Sequence, residues 1–198
     1  ITNLSRLYFA RPDSVKVTTY DGRAYLNADK ETYDVIMVDA YQDITIPFQM
    51  SSVEFFTLVK EHLNENGVMV VNMNMRGTEE GSINEYLSDT IASVFSTVKT
   101  VDVNGSTNRE LFASDNEEIL DVLKKNTEKL TSEDLKRLMD YVSLGMEDYR
   151  AGDYLMTDDK APVELLGMRV IDSLIQEEVS YYKDIYKEQG IEGLLNNL

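Results

Sequence analysis

Tyr33-Asp34-Val35-Ile36-Met37-Val38-Asp39-Ala40-Tyr41-Gln42-Asp43-Ile44-Thr45-Ile46-Pro47 is the stretch on which the reading of this chain turns. Val35, Ile36, Met37 and Val38 stand in sequence between polar neighbours. A short unbroken apolar run predicts a strand buried on both faces, as in a parallel sheet covered by helices. In such sheets ligands sit beyond the carboxyl ends of the strands. Asp39 falls at that end, so a carboxylate stands where chemistry is usually done.

On the N-terminal side, Ile1 to Phe9 reads as the end of a helix. Val15-Lys16-Val17-Thr18-Thr19-Tyr20 alternates and predicts another strand. Asp21-Gly22 follows, then a short helix over Arg23 to Ala28. Asp21 is either a second acid at a strand end or part of a plain turn, because Asp-Gly is a common turn pair.

On the C-terminal side, Ser51 and Glu54 have the spacing of a capping box. Phe55, Phe56, Leu58, Val59 and Leu63 give the helix an apolar face, and Asn66-Gly67 is its expected stop. Val68 to Met73 predicts a further buried strand. Strand, helix and strand in this order imply parallel pairing through a right-handed crossover. Ser82 and Glu85 open a second helix carrying Ile83, Leu87, Ile91, Val94 and Phe95. Val98 to Val103, the turn at Asn104-Gly105 and Glu110 to Ser114 predict an antiparallel hairpin at one edge of the sheet. Beyond Asp115 the pattern is helical: Ile119 to Leu123, then Leu135 to Val142 with Thr131 or Ser132 as cap, then a long helix from Pro162 to near Gly190. Residues Gly145 to Ala161 have no clear periodicity. The expected organisation is an α/β core over residues 1–115 with a helical extension over 116–198 packed on it.

The bulk composition narrows the function classes. The chain has 198 residues, 42% of them apolar, and a net charge of −17. That charge argues against binding a nucleic acid backbone, which needs clustered Lys and Arg. With no cysteine, disulfides and thiolate metal sites are excluded. No apolar run is long enough to span a membrane and no signal sequence opens the chain, so a cytoplasmic location is expected. The chain opens on Ile1 rather than Met, and a longer natural N-terminus is expected.

Carboxylates are the candidate chemical groups. Asp21 and Asp39 end predicted strands; Asp43 and the pair Asp158-Asp159 lie on predicted loops. A carboxylate so placed can bind an amine or hydroxyl, or take a proton from an attacking amine. The spacing of the acids fits no calcium loop, and no metal site is expected. His62, the single histidine, lies near a helix end, where the helix dipole explains it. No G-x-S-x-G, G-x-G-x-x-G or Walker sequence occurs. Tyr41 follows Asp39 closely enough to pack over a ligand.

Tyr20-Asp21-Gly22-Arg23-Ala24-Tyr25-Leu26, Tyr33 to Asp39 and Pro47 together resemble the spermidine synthase family, in its bacterial branch, some members of which are fused to membrane domains. Gly67 to Asn72 and Leu155-Met156-Thr157-Asp158-Asp159-Lys160-Ala161-Pro162-Val163-Glu164 resemble it as well. The resemblance implies a class I methyltransferase-like, Rossmann-like fold with a mostly parallel sheet. It implies transfer of an aminopropyl group from decarboxylated S-adenosylmethionine, the co-substrate, to an amine such as putrescine. Asp39 would accept the proton of the attacking amine. Asp21 and Gly22 would lie against the donor's adenine, and Tyr41, Asp43, Asp158 and Asp159 near the acceptor.

The chain departs from the family's usual pattern in one visible place. The family has Asp-Ser-Ser-Asp-Pro or Asp-Ala-Thr-Asp-Pro after the strand, whereas here Asp43 is one residue further from Asp39 and the proline is Pro47. The family's glycine-rich loop and its ribose-binding acid would match positions before Ile1. The expectation is therefore a truncated, inactive fragment lacking the first two strands, able to pair with a second copy through exposed sheet edges. The alternatives are an S-adenosylmethionine-dependent small-molecule methyltransferase, and a non-catalytic domain that kept the fold.

Overall fold

The computed structural model describes residues 2–40, 46–74 and 80–197. α1 (Thr2–Tyr8) buries no residue. The strand expected over Val15 to Tyr20 does not form. Among the described residues no strand lies beside it, so its extended backbone has no ladder to join. Asp21 is accordingly not at a strand end. Its side chain accepts the Ala24 amide hydrogen at 2.8 Å and caps α2 (Gly22–Ala28).

β1 (Tyr33–Val38) forms where the apolar run predicts it. A short 3-10 turn, Phe48–Met50, leads into α3 (Val53–Glu61). The cap of α3 is Ser52, one residue later than expected; its Oγ accepts the Phe55 amide hydrogen at 3.2 Å. Ser51 instead donates to the Phe48 carbonyl and closes the 3-10 turn. α3 stops at His62, and β2 (Leu63–Asn74) starts at once, before the expected stop at Gly67. Gly67 is needed for closeness rather than for a left-handed cap. A Cβ there would lie 3.0 Å from the carbonyl oxygens of Tyr33 and Asn64, where the β1–β2 register shifts.

α4 (Ile83–Val94) has the expected cap, Ser82, and Glu85 reaches back to the Gly81 amide at 2.6 Å. β3 (Thr97–Asp102) and β4 (Asn108–Ser114) form the predicted hairpin. α5 (Ile119–Glu128) and α6 (Glu133–Gly145) follow, the second capped by Ser132. β5 (Glu147–Asp148) is a two-residue strand with no signal in the sequence. α7 (Val163–Asn197) extends past Gly190, where a φ of 66° breaks its helical path.

The sheet order is β1-β2-β4-β3-β5. β1 and β2 are parallel and the other ladders are antiparallel, so the sheet is mixed. β4 returns into the middle of the sheet, and β5, not the hairpin, forms the far edge. One face carries the core: Met69, Val71 and Met73 of β2 and Leu111 and Ala113 of β4 are buried with Phe55, Phe56 and Val59 of α3 and Leu87 and Ile91 of α4. Val163, Leu166 and Val170 of α7 join the same cluster.

The opposite face decides how β1 must be described. Ile36 and Val38 point to the core side, but Val35 is 51% exposed and Met37 73% exposed. The expected burial on both faces is therefore corrected to burial on one. Among the described residues β1 is an edge strand, and its Val35 and Met37 side is uncovered.

Candidate functional site

Asp39 directly follows β1, as expected, and alternation places it on the uncovered face with Val35 and Met37. The parallel register then sets Asn72 of β2 beside it. Asn72 Nδ2 donates to Asp39 Oδ1 at 3.3 Å. Across the next ladder Asn72 pairs with Glu110 of β4. Three adjacent strands thus put Asp39, Asn72 and Glu110 in one polar row at the carboxyl end of β1. Burial, and then the nearby charge of Asp39, push the Glu110 carboxyl above its ordinary range. Asn72 Oδ1 is buried and accepts no hydrogen bond from the described residues. The row offers two carboxylates and one unused acceptor, which suits a ligand that donates hydrogen bonds and carries positive charge.

A cleft of about 520 Å³ begins at Ala40, next to Asp39. Ile46, Pro47, Phe48 and Gln49 form one wall and the first turns of α7 form the other, through Val163, Gly167, Met168 and Ile171. Its lining is mostly apolar, and among the described residues its one acid is Glu164.

Asp21 and Gly22 lie elsewhere. Asp21 is occupied as the α2 cap, and Gly22 borders a second cleft of about 540 Å³ with Tyr20, Tyr25 and Tyr33. The Tyr33 hydroxyl donates to Asp29, which raises the phenol's pKa and lowers the carboxyl's. The two clefts share no lining residue.

Asp158 is engaged by protein groups. Arg23 meets it with a forked pair of bonds at 2.7 and 2.6 Å, and Ser52 Oγ donates to it at 2.5 Å. The Asp158 amide in turn donates to Glu54 at 2.9 Å. This ties the segment before α7 to the starts of α2 and α3. Asp159 is exposed beside it. Tyr41 and Asp43 lie outside the described residues. His62 sits at the end of α3 with its ring nitrogens 2.9 Å from the Leu58 carbonyl and 3.3 Å from that of Asp29, a local structural role. Among the described residues no three metal-binding side chains come together.

Sequence reasoning missed Asn72, Glu110 and Glu164. Asn72 and Glu110 meet Asp39 only through strand register, which residue spacing does not reveal. The position of Asn72 at the end of an apolar strand, like that of Asp39, was the available signal. Glu164 sits in the first turn of a helix, where an acid is ordinary.

Comparison with known proteins places the chain. A family model described as "Spermine/spermidine synthase domain" matches residues 4–104, just over half of the 198. The chain belongs to the spermine/spermidine synthase family. A "Probable polyamine aminopropyl transferase" of Bifidobacterium longum is 53% identical over 98% of the chain. The alignment takes in 48% of that relative, so the chain spans about half the length of the curated relative it matches. Among solved structures, human methyltransferase-like protein 13, in complex with SAH, aligns with a TM-score of 0.53 at 22% identity, over 77% of this chain and 69% of that one. A probable spermidine synthase from Corynebacterium glutamicum aligns with a TM-score of 0.50 at 21% identity, over 77% and 60%. Both show the same α/β, Rossmann-like fold of the class I methyltransferase type. No helix among the described residues is long and apolar enough to cross a membrane.

Proposed function

We propose that this chain is part of an aminopropyltransferase and carries its proton-accepting carboxylate, Asp39. The observation that supports this best is the row Asp39–Asn72–Glu110 with its unused buried acceptor on Asn72. An amine in water is protonated and has no free electron pair. Near two carboxylates it is held as an ammonium, and Asn72 Oδ1 accepts one of its hydrogens. When the amine gives its proton to Asp39, its nitrogen becomes a nucleophile. The nitrogen then bonds the first carbon of the donor's aminopropyl group. The carbon–sulfur bond breaks, its electron pair returns to the sulfonium sulfur, and methylthioadenosine leaves. Asp39 keeps the proton, which it later releases to water.

In this reading the donor is decarboxylated S-adenosylmethionine, a co-substrate rather than a resident cofactor. Its adenosine side would lie by Gly22 and the tyrosines of the second cleft. The acceptor side would lie by Asp39, with Tyr41 and Asp43 close in sequence. Asp158 would act by holding the acceptor wall in place, since Arg23 and Ser52 already occupy it. A cytoplasmic location belongs to the same proposal.

The test uses the full-length protein with donor and putrescine. Release of methylthioadenosine that depends on the amine is expected. Asp39→Asn should lower kcat by about 10²- to 10⁴-fold, the range for a lost general base, with the fold unchanged by circular dichroism. Release of S-adenosylhomocysteine from S-adenosylmethionine instead would make the protein a methyltransferase. Unchanged transfer in Asp39→Asn would remove the role given to that residue.

A further inference from the structure

Three Asp-Gly or Asn-Gly pairs occur in the chain: Asp21-Gly22, Asn66-Gly67 and Asn104-Gly105. Each carries the atoms for an internal cyclisation, in which the glycine nitrogen attacks the side-chain carbonyl carbon before it and closes a five-membered imide. Glycine favours this closure, because without a Cβ its peptide turns freely. The fold treats the three pairs differently.

Asp21 is fixed by its own cap: its Oδ1 accepts the Ala24 amide hydrogen at 2.8 Å, and Gly22 opens α2. Asn66 is exposed, but Gly67 is buried in β2. The Gly67 carbonyl accepts from Ser114 Oγ at 2.8 Å, and a Cβ on Gly67 would lie 3.0 Å from the Tyr33 carbonyl oxygen. Turning the Asn66–Gly67 peptide toward the Asn66 side chain would break that bond and drive the backbone into β1. Asn104 and Gly105 are both exposed, in the turn between β3 and β4. Gly105 has a φ of 73°, and nothing lies within 4 Å of its Cβ position. The bonds that close the turn lie outside the pair. The Val103 amide donates to the Asn108 carbonyl at 3.0 Å, and the Ser106 amide to the Val103 carbonyl at 3.1 Å. Among the described residues none bonds the Asn104 side chain.

We propose that Asn104 is a self-modification site of the folded protein, converted to aspartate and isoaspartate through an imide with Gly105, while the fold protects Asn66. The Gly105 nitrogen gives its proton to hydroxide and bonds Asn104 Cγ. The Cγ–Nδ2 bond breaks, and the nitrogen leaves as ammonia with a proton from water. Water then opens the ring. Opening at Cγ leaves aspartate; opening at the backbone carbonyl leaves isoaspartate, whose chain runs through the side-chain carbon. Either product adds a negative charge to a chain already at −17. The new carboxylate falls in a pocket of about 260 Å³ that already holds Asp102 and Glu147 beside Arg109. Arg109 is taken by Asp102 at 2.5 Å, so the new acid arrives without a partner. Isoaspartate also lengthens the backbone of a tight turn and strains the Ser106–Val103 bond.

Hydroxylamine opens the imide and cuts the chain there, which reads the reaction directly. The native 198-residue chain should yield fragments 1–104 and 105–198. Cutting at Asn66 should be slower by at least about tenfold, since it waits for β1 and β2 to separate. In urea, where the fold is lost, both pairs should be cut at similar rates. Asn104→Gln should abolish the first two fragments. Without hydroxylamine, the native chain should slowly gain, at Asn104, the mass of a hydroxyl in place of an amino group. Peptide mapping should resolve that product into aspartate and isoaspartate forms. Native cutting at Asn66 as fast as at Asn104 overturns the proposal. So does a native chain left uncut at Asn104 when its unfolded form is cut there.

Discussion

Asp39 was legible in the sequence because a strand end can be read from four apolar residues and the acid that follows them. Its partners were not, since Asn72 and Glu110 reach it only after β2 and β4 have paired in register. Glu110 gives a prediction that depends on this register. Its carboxyl titrates above the ordinary range, so the unfolded chain releases the proton at lower pH than the native one. Folding stability therefore falls as pH rises from the ordinary carboxylate range through the raised native value. Glu110→Gln removes that loss and should be more stable than wild type at pH 7, by about half a kcal/mol given its partial exposure. Asp158 has the opposite sign. The hydrogen bond from Arg23, then that from Ser52, holds its carboxyl below the usual range against the effect of burial. The stability it contributes is present above about pH 4, the unfolded value, and is lost as pH falls through the lower native value. The Arg23 and Asp158 side chains are 20% and 41% exposed, so screening keeps the pair near about 1 kcal/mol. Arg23→Gln should lower the melting temperature more at pH 7 than at pH 2, where only its bond to the Gln49 carbonyl is lost, measured by calorimetry across that range.

At the scale of elements, the helix starts and their N-caps were readable to within a residue or two, because capping and apolar spacing are local; the ends were not, since α3 stops at His62 instead of Gly67 and α7 runs past Gly190. The segment between α6 and α7 was not, because long-range bonds shape it instead of periodicity. Its organiser is Asp89 of α4, 1% exposed. Asp89 accepts from the Tyr149 hydroxyl at 2.7 Å, from the Gly152 amide at 2.9 Å and from the Tyr154 amide at 3.0 Å. The next residue, Thr90, accepts from the Met156 amide at 2.9 Å, and the Met156 carbonyl accepts from the Val53 amide. The segment thus lies against α4 and α3 and delivers Asp158 to Arg23. In the sequence Asp89 was one of 36 acids, with nothing local to distinguish it. Asp89→Ala would take the acceptor from two part-buried amides and the Tyr149 hydroxyl, costing about 1–3 kcal/mol. Hydrogen exchange should then show Gly152, Tyr154 and Met156 losing protection while β2 and β4 keep theirs. Gly152→Ala tests the same contact from the other side. Its Cβ would fall 2.5 Å from Asp89 Oδ2, and a loss of about 1–3 kcal/mol is expected from the displacement.

The whole molecule is a mixed sheet with its core on one side, and the sequence disclosed the class of fold better than the sheet's coverage. The run Val35 to Val38 predicts burial on both faces because a continuous apolar strand usually has helices above and below. In the described structure Val35 and Met37 face outward on an edge strand whose only described neighbour is β2. An apolar edge with unpaired backbone groups is a template for a second strand, and a second copy of the chain supplies one. The charge of −17 opposes that contact, because two such chains repel each other at long range. Salt screens this repulsion within roughly 10 Å at 0.1 M and leaves the apolar contact in place. Self-association that strengthens with salt is therefore the expected behaviour, readable by sedimentation equilibrium at several ionic strengths. Met37→Glu places a charge on the exposed apolar side of β1 and adds to the repulsion. It should weaken association by at least about tenfold without lowering the melting temperature, since Met37 contributes little to the core. A wild-type chain that stays monomeric at every salt concentration, or a Met37→Glu chain that associates equally well, would show that the β1 edge is not a pairing surface.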